Sequence, residues 1–265
     1  MPRPRLLVAI AASAVAGVGL VSAVSASVTP APGPPSMVLQ MNLCLSGKAG
    51  CYARTAYPSV VDEASAEVQR RDPATVTLNE TCSGDAAEIA RRTGYQLRFA
   101  AVHTWGAPLP CVDPGGRGDF GLAVLTKDDI RESRNEAFAV HADEEERRWL
   151  CATTIRDLTV CTAHLSTRGS TAQRAANDAE CHELRDVLAR YQDAGTTVFG
   201  GDVNRQDPCA PATMWARQDS AATQAAGVQH IYGSRTLESP DPEVEVATYT
   251  DHDFLYAGGR SGSAS

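Results

Sequence analysis

Asp202 and Asn204 stand two residues apart, directly after Gly200-Gly201 and an apolar run from Thr196 to Phe199. The run is expected to form a buried strand, and the glycines a tight turn or close backbone approach that puts both oxygen-bearing side chains on one side. A carboxylate beside a carboxamide at the carboxyl end of a strand can orient water, hold a cation or contact an anion. It can equally be an ordinary loop, so the chemistry depends on what else reaches the same edge. Four other apolar segments lead into polar residues able to ligate metal or move protons: Asn42, Glu80, His164 and the pair Asp251-His252. Each taken singly has a structural explanation, a turn cap for Asn42, a surface acid for Glu80, a satisfied core histidine for His164. Together, at one sheet edge, they would make a pocket of three carboxylates, two carboxamides and two imidazoles.

The elements that must position them follow from periodicity. Strands are expected over 36–45, 74–78, 95–102, 120–126, 130–140, 148–155, 158–165, 227–232 and 244–250, the last running into Asp251. Helical spacing marks 60–71 and 85–92, with Gly94 as a stop, and a long amphipathic helix over 171–191. Met214-Trp215 is assigned to a short helix, and 106–118 to a Gly/Pro-rich loop pinned by Cys111. Strands and helices interleave without strict alternation, which favours an α/β (α+β) sandwich of two mixed sheets over a doubly wound parallel sheet.

Arg3 and Arg5 precede an apolar run, Leu6 to Val24, that ends in small residues. This pattern predicts a secretory signal peptide over 1–26, followed by a Pro-rich linker over 27–35, one domain over 36–258 and a flexible tail over 259–265. No second segment is apolar enough to form a transmembrane helix after cleavage, so the expected location is extracellular and the expected state a monomer. The 265-residue chain carries a formal net charge of −8; loss of Arg3 and Arg5 takes it to −10. Such a surface is not built for tight, nonspecific phosphate binding, so any polyanion chemistry would need a metal ion for local positive charge.

All eight cysteines (Cys44, Cys51, Cys82, Cys111, Cys151, Cys161, Cys181, Cys209) lie in the domain. In an exported chain an even number points to disulfides, and none has Cys-x-x-Cys zinc spacing. Pairing sequence neighbours gives 44–51, 82–111, 151–161 and 181–209, with Cys151 and Cys161 facing each other across a hairpin turning near Arg156-Asp157.

Gln40-Met-Asn42, Leu78-Asn-Glu80, Phe120-Gly-Leu-Ala-Val-Leu-Thr126, Thr162-Ala-His164-Leu, Gly201-Asp-Val-Asn204 and Thr250-Asp-His252 occur in this order along the chain. The ordered set resembles the endonuclease/exonuclease/phosphatase superfamily, which includes pancreatic-type deoxyribonucleases, inositol-polyphosphate phosphatases and bacterial sphingomyelinases. The resemblance spans 36–256. It implies a DNase-like, four-layer α/β/β/α sandwich, Mg²⁺ (or Mn²⁺) as cofactor, and hydrolysis of a phosphate-ester substrate. Expected export, which suits the scavenging of extracellular DNA or RNA, favours nucleic acid among the substrates. By resemblance, Glu80 with Asn42 and Asp251 would hold the metal, and Asp202 would orient or deprotonate water. Asn204, His164 and His252 would contact the phosphoryl group, and Asn79 would support Glu80. The superfamily's aspartate partner of the last histidine is here Gln229, which implies a His252 less readily protonated than in relatives. A sphingomyelinase-like phospholipase or phosphatase, and a catalytically impaired binding protein, are the alternatives.

Overall fold

The computed structural model describes residues 38–258, apart from the side chains of 53 and 54; the expected signal peptide, linker and tail lie outside the described residues. Two mixed sheets make the body. The first runs in the order β14-β15-β1-β2-β7-β3, with β6 also on β7. Its strands are β1 Val38–Asn42, β2 Thr75–Cys82, β3 Gln96–Ala101, β6 Pro110–Val112, β7 Gly115–Thr126, β14 Pro242–Glu245 and β15 Phe254–Ala257. The second runs β12-β13-β11-β10-β9-β8, from β8 Ile130–Ala137, β9 Arg148–Thr154, β10 Leu158–His164, β11 Thr196–Asp202, β12 Met214–Gln218 and β13 Gln229–Ser234. A two-residue ladder, β4 His103–Thr104 with β5 Ala107–Pro108, stands apart from both.

At the centre of each sheet lies one parallel pair, β1 with β2 and β10 with β11, and each is joined by a helical crossover. Helix α1, Ser59–Arg71, makes the first crossover and α3, Thr171–Ala194, the second; α2, Ser83–Thr93, packs beside α1. A Ser170–Gln173 capping box starts α3, the side chain of each residue accepting the other's backbone N–H.

Period-two alternation sorts the side chains into layers. Leu39, Met41, Val76 and Leu78 join α1 and α2 residues in one core; Cys161, Ala163 and Phe199 join α3 residues in another. The opposite faces of the same strands, with Val38, Val124, Leu150, Val160 and Val198, form a third core between the sheets. The result is the expected four-layer α/β/β/α sandwich. The inter-sheet face changes character along each strand, apolar at the amino ends of β1, β10 and β11 and polar at their carboxyl ends, where Asn42, His164 and Asp202 lie.

All four expected disulfides are formed, 44–51, 82–111, 151–161 and 181–209. Cys151 and Cys161 occupy directly opposed positions of the β9–β10 hairpin. Three element assignments are corrected. Met214-Trp215 begins strand β12 rather than a helix: Met214 packs towards α3 and Trp215 between the sheets, the opposite directions that successive strand residues take. The strand expected over 244–250 stops at Glu245, because the buried Asp253 carboxylate accepts the backbone N–H groups of Ala247 and Thr223 and holds the chain in a loop. Asp251-His252 therefore lead into β15. Since β15 is antiparallel to β1, its first residues lie at the same end as Asn42. Part of the expected 106–118 loop is also strand, in β5, β6 and the start of β7.

Candidate active site

Strand β2 does not stop at Leu78. Its register against β7 shifts between Leu78 and Thr81, and Glu80 adopts φ 51°, a left-handed conformation that a non-glycine residue takes up only when its surroundings hold it there. Asn42 does part of that holding. Its Nδ2 donates to Glu80 Oε1 at 2.9 Å and to Asp202 Oδ2 at 3.0 Å, while its Oδ1 accepts Cys44 N–H. With two carboxylates on one side and an N–H on the other, the carboxamide has one satisfying orientation. Asn42 thus spans two acids, its oxygen turned to the backbone.

Asp202 ends β11 and is buried. Its backbone N–H donates to Asn79 Oδ1 at 2.7 Å, and its Oδ1 accepts Asn204 N–H at 2.9 Å. Burial alone would raise its carboxyl, but His252, with Nε2 3.4 Å from Oδ2, and the Asn204 N–H hold it well below the usual range. His252 also donates Nδ1–H to Asp251 Oδ1 at 2.8 Å. Burial works against its charge, yet these two carboxylates push its pKa up to about 11. His252 thus draws its charge support from Asp202 and Asp251, and not from position 229, where the superfamily resemblance places its partner. Gln229 does not touch it: Gln229 Nε2 donates to the Asp253 carbonyl and Asp219 Oδ2, and its Oε1 accepts from Gln40.

His164 ends β10, 3.6 Å from Glu80 Oε1. Burial and the neighbouring Arg147 guanidinium push it down to about 3, so the ring is neutral. A neutral imidazole carries one N–H, and both ring nitrogens face donors, Nδ1 the Arg147 Nη1 at 3.0 Å and Nε2 the Asn204 Nδ2 at 3.1 Å, so the ring accepts from one of them at a time. Asn204, at φ 51°, is tied by Nδ2 to the Leu165 carbonyl at 2.9 Å and lies 3.1 Å from His164 Nε2. Arg147 was not foreseen. It immediately precedes β9, pairs with Glu145 at 3.1 Å, and is the cation closest to the histidine; an Arg-Arg pair opening a strand gave no means of choosing between Arg147 and Arg148.

Glu80, Arg147, His164, Asp202, Asn204, Asp251 and His252 line one cavity of about 460 Å³, together with Ser46, Lys48, Cys51, Phe120 and Thr167. The polar strand ends named from sequence are thus brought together, with Asn42 beneath them and Asn79 one step further back; Gln229 is buried behind Asp253, off the cavity. A larger cavity of about 770 Å³ adjoins it at Glu145, between Trp105 and the acidic stretch Asp143–Glu146. The donor set suits a hard divalent cation. The Glu80 carboxylate is raised to about 7 by burial and by Asp202, against the pull of Asn42 and His252, and so lacks a full counter-charge when ionised. Cys44 and Cys51 also lie near Glu80, but in a disulfide neither carries a thiolate.

Neither a family model nor a curated protein matches the sequence. Solved structures do match the fold. Human Nocturnin catalytic domain with bound sulfate superposes with a TM-score of 0.60 at 16% identity, over 85% of this chain and 93% of that one. An endonuclease/exonuclease/phosphatase from Beutenbergia cavernae gives 0.59 at 17%, over 85% and 71%. TDP2 of D. rerio, complexed with single strand DNA product, gives 0.57 at 15%, over 84% and 97%. The chain has the DNase-like fold of the endonuclease/exonuclease/phosphatase superfamily.

Proposed function

We propose that this chain is an exported, divalent-metal-dependent phosphoesterase, and within that class a phosphodiesterase acting on nucleic acid. The observation that carries the reading is the convergence of Glu80, His164, Asp202, Asn204, Asp251 and His252 on one cavity, with opposite protonation imposed on its two histidines. The DNA-bound TDP2 neighbour supports the substrate class. The four disulfides and the apolar stretch 6–24 support export.

Glu80 and Asp251 would hold Mg²⁺ or Mn²⁺, with Asn42 fixing Glu80 from behind. The bound ion would polarise a phosphoryl oxygen and offset charge developing on it. Asp202, kept ionised, accepts a hydrogen bond from the attacking water and orients it in line with the leaving oxygen. His164, kept neutral, contacts a phosphoryl oxygen. His252, kept as imidazolium, donates to another or protonates the leaving oxygen. Asn204 steadies the phosphate from the turn after β11. Besides the histidines, Lys48 and Arg147 are the basic side chains of the described cavity wall, and they would attract a polyanion to it.

A sphingomyelinase-like reading is favoured by one observation, the 78% exposure of Trp105 beside the cavity. Assaying the mature protein with Mg²⁺ or Mn²⁺ on plasmid DNA, RNA, sphingomyelin and a simple phosphodiester, with and without chelator, separates the readings. Chelator-sensitive cleavage of DNA or RNA is expected. Hydrolysis of sphingomyelin alone would move the assignment to the phospholipase, and no turnover of any substrate would leave a binding protein.

A further inference from the structure

One of the four disulfides differs from the rest. Seven of the eight cysteines are buried, and Cys51 is the exception. It sits in the wall of the catalytic cavity, with its sulfur 3.8 Å from Glu80 Oε2. A bridged sulfur has no hydrogen to donate, so this is a packing contact. Both sulfurs of the Cys44–Cys51 bridge and a Glu80 oxygen lie within 4.8 Å of one another. While the bridge is closed that trio has no thiolate and cannot ligate through sulfur.

We propose that opening the Cys44–Cys51 bridge turns this part of the cavity into a site for a thiophilic divalent cation, with Zn²⁺ as the type, held by Cys44, Cys51 and Glu80. The functional consequence rests on the reading of Glu80 as the carboxylate of the phosphoesterase metal centre. A dithiol delivers two electrons and two protons to the S–S bond, leaving two cysteine thiols and its own cyclic disulfide; capture of Zn²⁺ then releases the two thiol protons. Tetrahedral zinc with Zn–S bonds of about 2.3 Å sets its two sulfurs about 3.8 Å apart. From a bonded separation of about 2 Å the sulfurs part by less than about 2 Å, which side-chain rotation supplies across a Cα–Cα distance of 6.2 Å. Glu80 is already within reach and water completes the tetrahedron. Mg²⁺ is a poor competitor for thiolates, so the cation bound would change in kind with the state of the bridge. In a reducing compartment Glu80 is then held by zinc and the enzyme is silent; an oxidising one closes the bridge and frees the carboxylate. The sequence gives no hint of this, because a six-residue spacer between the cysteines is not zinc spacing and Glu80 arrives from another strand.

The test uses the oxidised mature chain. Limited dithiothreitol treatment, alkylation of a portion and peptide mapping locate the first thiols; the rest, freed of reductant under argon, is titrated with Zn²⁺ by equilibrium dialysis and with Co²⁺ by absorption spectroscopy. Expected are labels at Cys44 and Cys51 ahead of the other six. One Zn²⁺ per reduced chain and none per oxidised chain is expected, with a thiolate-to-Co²⁺ charge-transfer band. Glu80→Gln in the reduced state should bind Zn²⁺ more weakly by at least about tenfold, the loss that even an outer partner of a metal ligand brings. Thiols appearing first at another bridge, loss of the folded circular dichroism signal on limited reduction, no bound Zn²⁺, or Glu80→Gln binding as tightly would each overturn the proposal. None of these readouts needs phosphoester turnover, so an inactive oxidised protein would refute the phosphoesterase reading and leave the zinc result to stand or fall by itself.

Discussion

Asn79, on β2 of the first sheet, accepts the backbone N–H of Asp202, on β11 of the second, at 2.7 Å. The same oxygen accepts Gln40 Nε2 at 2.7 Å, and the amide nitrogen reaches Thr162 Oγ1 and the Ala163 carbonyl. One buried carboxamide therefore fixes the end of the strand that carries Asp202 relative to the sheet that carries Glu80. Asn79→Ala would leave that N–H unpaired in the interior, at a cost of about 1–3 kcal/mol. Chemical denaturation should register this loss, and kcat should fall more than KM changes. Wild-type stability and kcat in Asn79→Ala would show the bond to be incidental.

Burial and, after it, Arg147 keep His164 neutral. In Arg147→Gln the histidine pKa should rise, because a positive neighbour that disfavoured imidazolium is gone while burial remains. The acid limb of the pH–rate profile should then move to higher pH. For stability, a histidine depressed to about 3 binds its proton later in the folded than in the unfolded chain, so the wild type loses stability as pH falls from about 6.5 towards 3. The variant should lose less over that window. Titration of the His164 ring by NMR checks both statements, and an unmoved pKa would refute them.

Glu80 is expected to be indispensable for the cation. Adding Mg²⁺ at about 100 times its dissociation constant should stabilise the oxidised protein by about 2.7 kcal/mol, read as a rise in thermal midpoint. Glu80→Gln should abolish that rise and lower turnover by roughly 10²–10³, the scale of losing one electrostatic partner of the transition state. A full Mg²⁺-dependent rise in Glu80→Gln would remove the residue from the metal centre.

Asp219 governs a different pH effect. Buried, and pushed further up by Asp202 against hydrogen bonds from Gln229, it is raised to about 6. The folded state takes up this proton before the unfolded state does, so stability falls as pH rises from about 4 through 6. Asp219→Asn should flatten that slope in denaturation measured across the window. Gln229→Asp should steepen it, by replacing an amide donor to Asp219 with a second buried carboxylate, and should leave His252 titrating as before. A displaced His252 titration in Gln229→Asp would restore the aspartate-like role for position 229.

The architecture was legible because β1, β10 and β11 are short, almost wholly buried apolar runs, with Leu39, Met41, Cys161, Ala163 and Phe199 facing the helices and Val38, Val160 and Val198 facing the other sheet. The four disulfides followed chain order because each closes a local excursion, the longest spanning 28 and 29 residues. What failed did so for tertiary reasons. Met214-Trp215 has no period of its own, and its strand form comes from pairing with β13. The loop before β15 is shaped by the Asp253 carboxylate, a long-range acceptor that no local pattern announces. Gln229 was placed against His252 by the superfamily resemblance, whereas the fold turns its amide to Asp219 and the Asp253 carbonyl. Arg147 was hidden because its meaning depends on a histidine seventeen residues away.

Gly200 and Gly201 explain why the site is insulated from the cores around it. A methyl group on Gly200 would meet Thr77 Oγ1 at 2.2 Å, and one on Gly201 would meet the Ala163 carbonyl at 2.5 Å. The gap between the sheets just before Asp202 is thus set at Gly200 by a short threonine rather than by interlocking apolar side chains, while Gly201 lies tight against the β10 main chain of its own sheet. Exchanges of valine for isoleucine or leucine elsewhere between the sheets can alter stability without changing the depth at which Asp202 sits. The protein can drift in its hydrophobic composition while the carboxylate keeps its address.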